Sequence, residues 1–211
     1  MVYFVSGTDT DVGKSLATGF LAKRFAQSGA KVITQKLAQT GCQGISIDII
    51  THRKIMGIDL LPEDRTGVTC ADVFDFPASP HLAAKMQNAS IDIPAIARRT
   101  EVLAQHYDVV LMEGVGGLMV PLKDDFLVID YISKYSLGTF LVVSSKLGSL
   151  NHALLCIEAC LRRNISIAGI VYNTFAKAPK EIEESTAEYI KGYLSRYSPH
   201  TQFITMGRVE F

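Results

Sequence analysis

Val2-Tyr3-Phe4-Val5-Ser6-Gly7-Thr8-Asp9-Thr10-Asp11-Val12-Gly13-Lys14-Ser15-Leu16 is the stretch on which the fold of this 211-residue chain turns. Val2 to Val5 is an apolar run that reads as a buried first strand. Residues 16–26 carry an apolar period that reads as a helix. A glycine-bounded loop with Gly13-Lys14-Ser15 between a strand and a helix is the setting of a phosphate-binding loop. Free backbone N–H groups at the helix start, with the positive end of the helix dipole, attract an anion there. Gly13 lets the backbone approach phosphate closely. Lys14 is placed to reach β- and γ-phosphates, and the Ser15 hydroxyl to ligate magnesium. Five residues, rather than the usual four, separate Gly7 from Gly13. The loop also carries Asp9 and Asp11, which a triphosphate would repel. Asp11, and less directly Asp9, therefore reads either as facing a positively charged second substrate or as a local turn cap.

The chain is long enough for one α/β domain, residues 1–211, with a substantial core. Its 21 basic and 21 acidic residues balance. That leaves no basic surface for nucleic acid and no polybasic membrane patch. The N-terminus enters a strand rather than a secretory leader, and no apolar run approaches a membrane span. Cys42, Cys70, Cys156 and Cys160 are scattered; Cys156 and Cys160 read as thiols on the apolar side of a helix. A reduced, cytoplasmic protein is expected.

Working outward from the loop, residues 31–36 read as a second strand, with Lys36 where it stops. Chemistry collects just past the carboxyl ends of parallel strands, although a strand-end lysine can also be a surface residue. The loop through Thr40 and Gly41 follows. Residues 46–56 read as a helix capped by Ser46. Asp48 in its first turn serves either the dipole, worth roughly 0.3–1 kcal/mol, or a magnesium ion. Residues 58–79 are irregular. Helices are expected from Ser79-Pro80-His81 to Met86 and from Asp92 to Gln105. Residues 108–113 read as a buried strand ending in the carboxylate Glu113, with Gly114-Val115-Gly116-Gly117 as the loop after it. That carboxylate position suits a magnesium group. Helices follow at 126–135, 150–163 and 181–197, and strands at 139–144, 166–171 and 202–206. The helix start at Gly148-Ser149-Leu150-Asn151 offers amides to an anion such as a carboxylate. Asn173 can read a nucleotide base or form a turn. Alternating strands and helices predict a mostly parallel sheet covered on both faces, in the manner of P-loop NTPases.

These motifs resemble those of the dethiobiotin synthetases. The likeness rests on the phosphate loop with its five-residue spacing, Lys36-Leu37-Ala38-Gln39-Thr40-Gly41, Ser79-Pro80-His81 and Glu113-Gly114-Val115-Gly116-Gly117. Lys146-Leu147-Gly148-Ser149-Leu150-Asn151-His152 adds to it. It covers residues 2 to about 174. The resemblance implies a homodimeric enzyme that forms a cyclic urea from 7,8-diaminopelargonate, carbon dioxide (or bicarbonate) and ATP with magnesium. It implies that Ser15, Asp48 and Glu113 hold the metal and that Lys14 and Lys36 are catalytic. Asp11, Val12, Gly13, Lys14, Ser15, Leu16, Asp48, Glu113, Gly114, Val115, Gly116, Asn173 and Thr174 would contact the nucleotide. Thr10, Asp11, Lys36 and Thr40 would contact the diamine. Gly148, Ser149, Leu150 and Asn151 would receive its carboxylate tail across the interface. Lys36→Ala is expected to abolish ring closure with the fold intact. Leu37 and Asp11 depart from the family's commoner proline and glutamate. The segment Met206-Gly207-Arg208-Val209-Glu210-Phe211 is short where the family continues through a base-binding loop. A nucleotide-switch ATPase and a non-catalytic regulatory relative are the rival readings. The first is disfavoured because Gly7-Thr8-Asp9 stands where such switches carry an extra lysine.

Overall fold

The computed structural model describes residues 1–175 and 178–210; Phe211, the last residue of the C-terminal segment, lies outside them. The first half of the chain runs β1 (Val2–Gly7), α1 (Lys14–Gln27), β2 (Val32–Lys36), β3 (Gln39–Thr40), α2 (Ile47–Met56), α3 (Pro62–Arg65), β4 (Val73–Phe74), α4 (Pro80–Met86) and α5 (Ile93–His106). The second half runs β5 (Val109–Gly117), β6 (Pro121–Lys123), β7 (Phe126–Leu127), α6 (Val128–Lys134), β8 (Gly138–Ser144), α7 (Ser149–Arg162), β9 (Ile167–Asn173), α8 (Lys180–Tyr197) and β10 (Gln202–Met206). Six strands form one parallel sheet in the order β10-β9-β8-β1-β5-β2.

The strands read as near-continuous apolar runs because both faces are covered. Val5, Leu111, Val142 and Val171 pack with Ala17, Leu21 and Ala22 of α1. Their neighbours Phe4, Met112, Val143 and Tyr172 pack with Ile129, Ile157 and Ile190 of α6, α7 and α8. On the first face α1 and α2 lie side by side. A Cβ at Gly19 would stand 2.8 Å from Cδ1 and 2.9 Å from Cβ of Ile55, so only glycine permits that approach.

Three expectations change. The strand through Glu113 does not end there but continues to Gly117, because Gly7 at the end of β1 pairs with Gly117. Phe126 and Leu127 are not helical; they pair back on Lys123 and Pro121 as a hairpin, and the helix begins at Val128. The irregular region holds a helical turn, α3, and the strand β4, which pairs with β3. Ser46 and Asp92 cap α2 and α5 by accepting from Ile49 N and Ala95 N. Cys42, Cys70, Cys156 and Cys160 are all free thiols; Cys160 is buried and Cys156 partly so, and burial pushes their thiols up to about 12 and about 11. Among the described residues no helix is long and apolar enough to cross a membrane.

Beneath α2 lies a buried ion pair. Arg53 grips Asp64 with two 2.8 Å hydrogen bonds, Nε to Oδ2 and Nη2 to Oδ1. Leu61 N and the Thr69 hydroxyl also donate to Asp64, each at 2.8 Å. Burial works to raise the Asp64 carboxyl, but Arg53 and these donors outweigh it and hold it below 3.8. A buried charge stripped of its partner costs about 3–5 kcal/mol, so Arg53→Met should lose that much stability in urea unfolding at neutral pH. A depressed carboxyl stabilises the fold above its unfolded pKa and loses that contribution as pH falls below it. The Asp64 contribution is thus intact above pH 3.8 and fades under more acid conditions. Asp64→Asn should flatten that acid limb.

Candidate active site

Parallel strands bring their carboxyl ends to one rim, and β1, β2, β8 and β9 end there in Gly7, Lys36, Ser144 and Asn173. Glu113 lies level with Lys36 across the β2–β5 pair. From Gly7 the chain turns tightly: a Cβ there would meet Val12 Cγ2 at 2.6 Å and Asp9 O at 2.9 Å. Asp11 and Gly13 have left-handed φ of 55° and 92°, and Gly13 stands at the N-cap of α1. Lys14 Nζ donates to Asp9 O at 2.8 Å, and Asp9 Oδ1 accepts from Thr10 N at 2.7 Å. From below, Asn173 Nδ2 donates to Val12 O at 2.9 Å. A Cβ on residue 13 would lie 2.5 Å from that amide nitrogen. Left-handed backbone costs a non-glycine residue about 1–2 kcal/mol. Gly13→Ala should therefore weaken ADP binding by about tenfold or more in calorimetry.

Next to the loop is a compact charged cluster. Ser15 Oγ lies 2.9 Å from Asp48 Oδ1 and 3.0 Å from Glu113 Oε1. Lys36 Nζ is 2.5 Å from Asp48 Oδ2, 2.9 Å from Glu113 Oε1 and 2.9 Å from Gly114 O. All three ammonium hydrogens thus have acceptors. Burial works to raise the Glu113 carboxyl, but the Lys36 ammonium and the His52 contact outweigh it and hold it near 2. Burial works to lower Lys36, and Glu113 and Asp48 reverse this and raise it. Lys14 is lowered, first by burial and then by the Lys36 charge, with the nearby carboxylates opposing.

Lys14, Ser15, Lys36, Asp48 and Glu113 open onto a cavity of about 460 Å³. Thr10, Asp11, Leu16, Thr40 and Val115 also line it. The structure therefore gathers most of the residues expected from sequence, and Asp48 turns its carboxylate to Ser15 and Lys36 rather than serving only the helix dipole. Other expected residues lie outside the lining. Val12 is buried beneath the loop. Gly114 offers its carbonyl to Lys36, and Gly116 sits at φ 60°. Thr174 is tied to Met206 O through its N–H at 2.9 Å. Asn173 is buried, and its Oδ1 accepts from Phe175 N at 3.0 Å, so one hydrogen and one lone pair of the amide remain for other partners. Gly148, Ser149, Leu150 and Asn151 open α7 on the same rim but do not line this cavity. Ser149 Oγ is bonded to Ser144 Oγ.

Sequence reading passed over a supporting layer. Gln39 Oε1 accepts from Ser46 Oγ at 2.6 Å and docks the start of α2. His52 Nε2 lies 2.6 Å from Glu113 Oε2, and its Nδ1 3.0 Å from Thr34 Oγ1. The available signal was spacing: His52 follows Asp48 by four and shares its helix face.

A strand-loop-helix phosphate site on a parallel sheet, ringed by two lysines and two carboxylates, defines a P-loop nucleotide-dependent enzyme. The AAA domain model matches residues 1–203. The chain is 48% identical over 207 residues to ATP-dependent dethiobiotin synthetase BioD 2 of Haemophilus ducreyi, spanning 98% of each. It is 45% identical over 205 residues to the BioD 2 protein of Pasteurella multocida, covering 97% of this chain and 96% of that one. It is 51% identical over 196 residues to the BioD of Chlorobaculum tepidum, covering 93% and 82%. The chain belongs to the ATP-dependent dethiobiotin synthetase family. Among solved structures it resembles pNOB8 ParA bound to nonspecific DNA, with TM-score 0.57, 13% identity and coverage of 99% of this chain and 85% of that one. A ParA family ATPase from Chlorobium tepidum gives TM-score 0.55, 16% identity and coverage of 97% and 84%. These likenesses establish the shared fold only.

Proposed function

We propose that this protein is a ligase of biotin biosynthesis that closes the cyclic urea of dethiobiotin from 7,8-diaminopelargonate and carbon dioxide at the expense of ATP. The observation that carries the reading is the convergence of Lys14, Ser15, Lys36, Asp48 and Glu113 on one cavity, in a chain nearly coextensive with named synthetases.

The donor set fits magnesium. Ser15, Asp48 and Glu113 supply hard oxygens, while no group of three or more His, Cys, Asp or Glu suited to a metal exists among the described residues. Magnesium commonly takes one or two carboxylates and completes its shell with water and phosphate oxygens. Bound there, it would offset the charge of the phosphate oxygens. Loop amides and Lys14 hold the triphosphate, with Val12, Gly13, Leu16, Gly114, Val115 and Gly116 framing it. Asn173 and Thr174 would contact the rest of the nucleotide. Thr10, Asp11 and Thr40 orient the diamine, whose ammonium character suits the Asp11 carboxylate.

One amine of the diamine adds carbon dioxide and loses a proton to give a carbamate. A carbamate oxygen attacks the γ-phosphorus and displaces ADP, giving a carbamic–phosphoric anhydride. The second amine attacks the carbamic carbon, phosphate leaves and the ring closes. The protein's work is alignment and charge compensation. Lys36 holds the carbamate oxygen, exchanging one of its three present acceptors for it.

The carboxylate tail of the diamine goes to Gly148, Ser149, Leu150 and Asn151 of a second copy in a homodimer. Exposed Leu147 and Leu155, just before and on α7, suit burial there. The reading also places the protein in the cytoplasm. Its test is product mass after incubation with magnesium, ATP, bicarbonate and the diamine. Phosphate release must depend on both the diamine and bicarbonate. Release without the diamine would instead favour a nucleotide switch, and no turnover a regulatory protein.

A further inference from the structure

We infer that His52 is a positioning residue for Glu113, its Nε2–H donated to Glu113 Oε2. The inference rests on the reading of Glu113 as a cation ligand and extends it to a residue that touches neither nucleotide nor diamine. The chain of contacts begins at Asp64, which fixes Arg53 through two hydrogen bonds. Arg53 Nη1 then reaches Thr34 Oγ1 at 2.8 Å. Guanidinium can only donate, so Thr34 Oγ1 accepts from it. The hydroxyl hydrogen of Thr34 is then free to point at His52 Nδ1, 3.0 Å away. Nε2 carries a ring proton, 2.6 Å from Glu113 Oε2.

The tautomer with its only proton on Nδ1 fails on geometry. It would turn the Nε2 lone pair against a carboxylate oxygen. A doubly protonated ring keeps the same Nε2–H on Glu113, because the two lone pairs of Thr34 Oγ1 accept from Arg53 and from Nδ1 alike; Thr34 and His52 are fully buried. With the Nε2 proton in place, Oε2 of Glu113 is held by the ring, and Oε1 is turned to Ser15 and Lys36. Such outer partners of a metal carboxylate fix its orientation.

The ring is tested first without any metal. Long-range ¹⁵N–¹H correlation of the wild-type protein, with His52 assigned from the His52→Gln spectrum, should show a protonated Nε2. An Nε2 without a proton overturns the proposal. The second test is calorimetric binding of Mg²⁺ in the presence of ADP. His52→Leu should weaken it by roughly 10- to 100-fold. His52→Gln, which keeps a donor at similar reach, should restore most of that loss. Unchanged Mg²⁺ affinity in His52→Leu, or no rescue by Gln, rejects the positioning role. Failure of the wild type itself to bind Mg²⁺ with ADP rejects the cation site of the preceding reading, and the ring spectrum still decides whether Nε2 carries a proton.

Discussion

Lys36→Ala lowers dethiobiotin formation by roughly 10²–10³-fold, the usual effect of removing one charged donor from a group-transfer site, and it also destabilises the protein. The second half of this outcome departs from the sequence-based expectation of an intact fold. A strand-end lysine could have been solvated; instead Lys36 is 4% exposed and clamped between Asp48 and Glu113. Removing it leaves two carboxylates facing each other beside Ser15, at a cost of about 3–5 kcal/mol. Product mass spectrometry and urea unfolding read the two effects separately. Adding Asp48→Asn to Lys36→Ala should recover much of the stability and none of the turnover. Near-normal turnover in the single variant would remove Lys36 from the phosphoryl step.

Glu113→Gln should cost at least about 10²-fold in rate, because one carboxylate contacts Ser15, Lys36 and His52 together. It should also change the acid response. Held near 2 against an ordinary 4.5, Glu113 contributes about 3 kcal/mol of stability. A depressed carboxyl gives that contribution in full above its unfolded pKa. It is therefore complete above pH 4.5, shrinks as pH falls and is gone below about 2. Acid titration of the variant should lack that loss between pH 4.5 and 2. A wild-type profile parallel to that of the variant would show that Glu113 is not the group responsible.

Much of this was legible in the linear chain because the signals were local. The loop between Gly7 and Ser15, the caps Ser46 and Asp92, and the apolar strand runs each follow from residues within a few positions of one another. What escaped depends on distant pairing. β5 runs past Glu113 only because Gly7 meets Gly117. The two-residue strands β3 and β4 exist only through each other. Asp48 was ambiguous on paper because a first-turn carboxylate suits any helix; packing of α2 on α1 settles its direction. The Asp64–Arg53–Thr34–His52 relay joins side chains from β2, α2 and α3, and no short window contains it.

Ser15 rides on α1 and Asp48 on α2, so their 2.9 Å contact measures the gap between two cylinders. That gap is set a helical turn further along, where residue 19 has a hydrogen in place of a methyl group and Ile55 fills the space. The spacing of Ser15 and Asp48 is therefore tuned by a pair that lies outside the cavity lining. A drift of a few tenths of an ångström at this remote fulcrum would be transmitted along both rods to the oxygen donors.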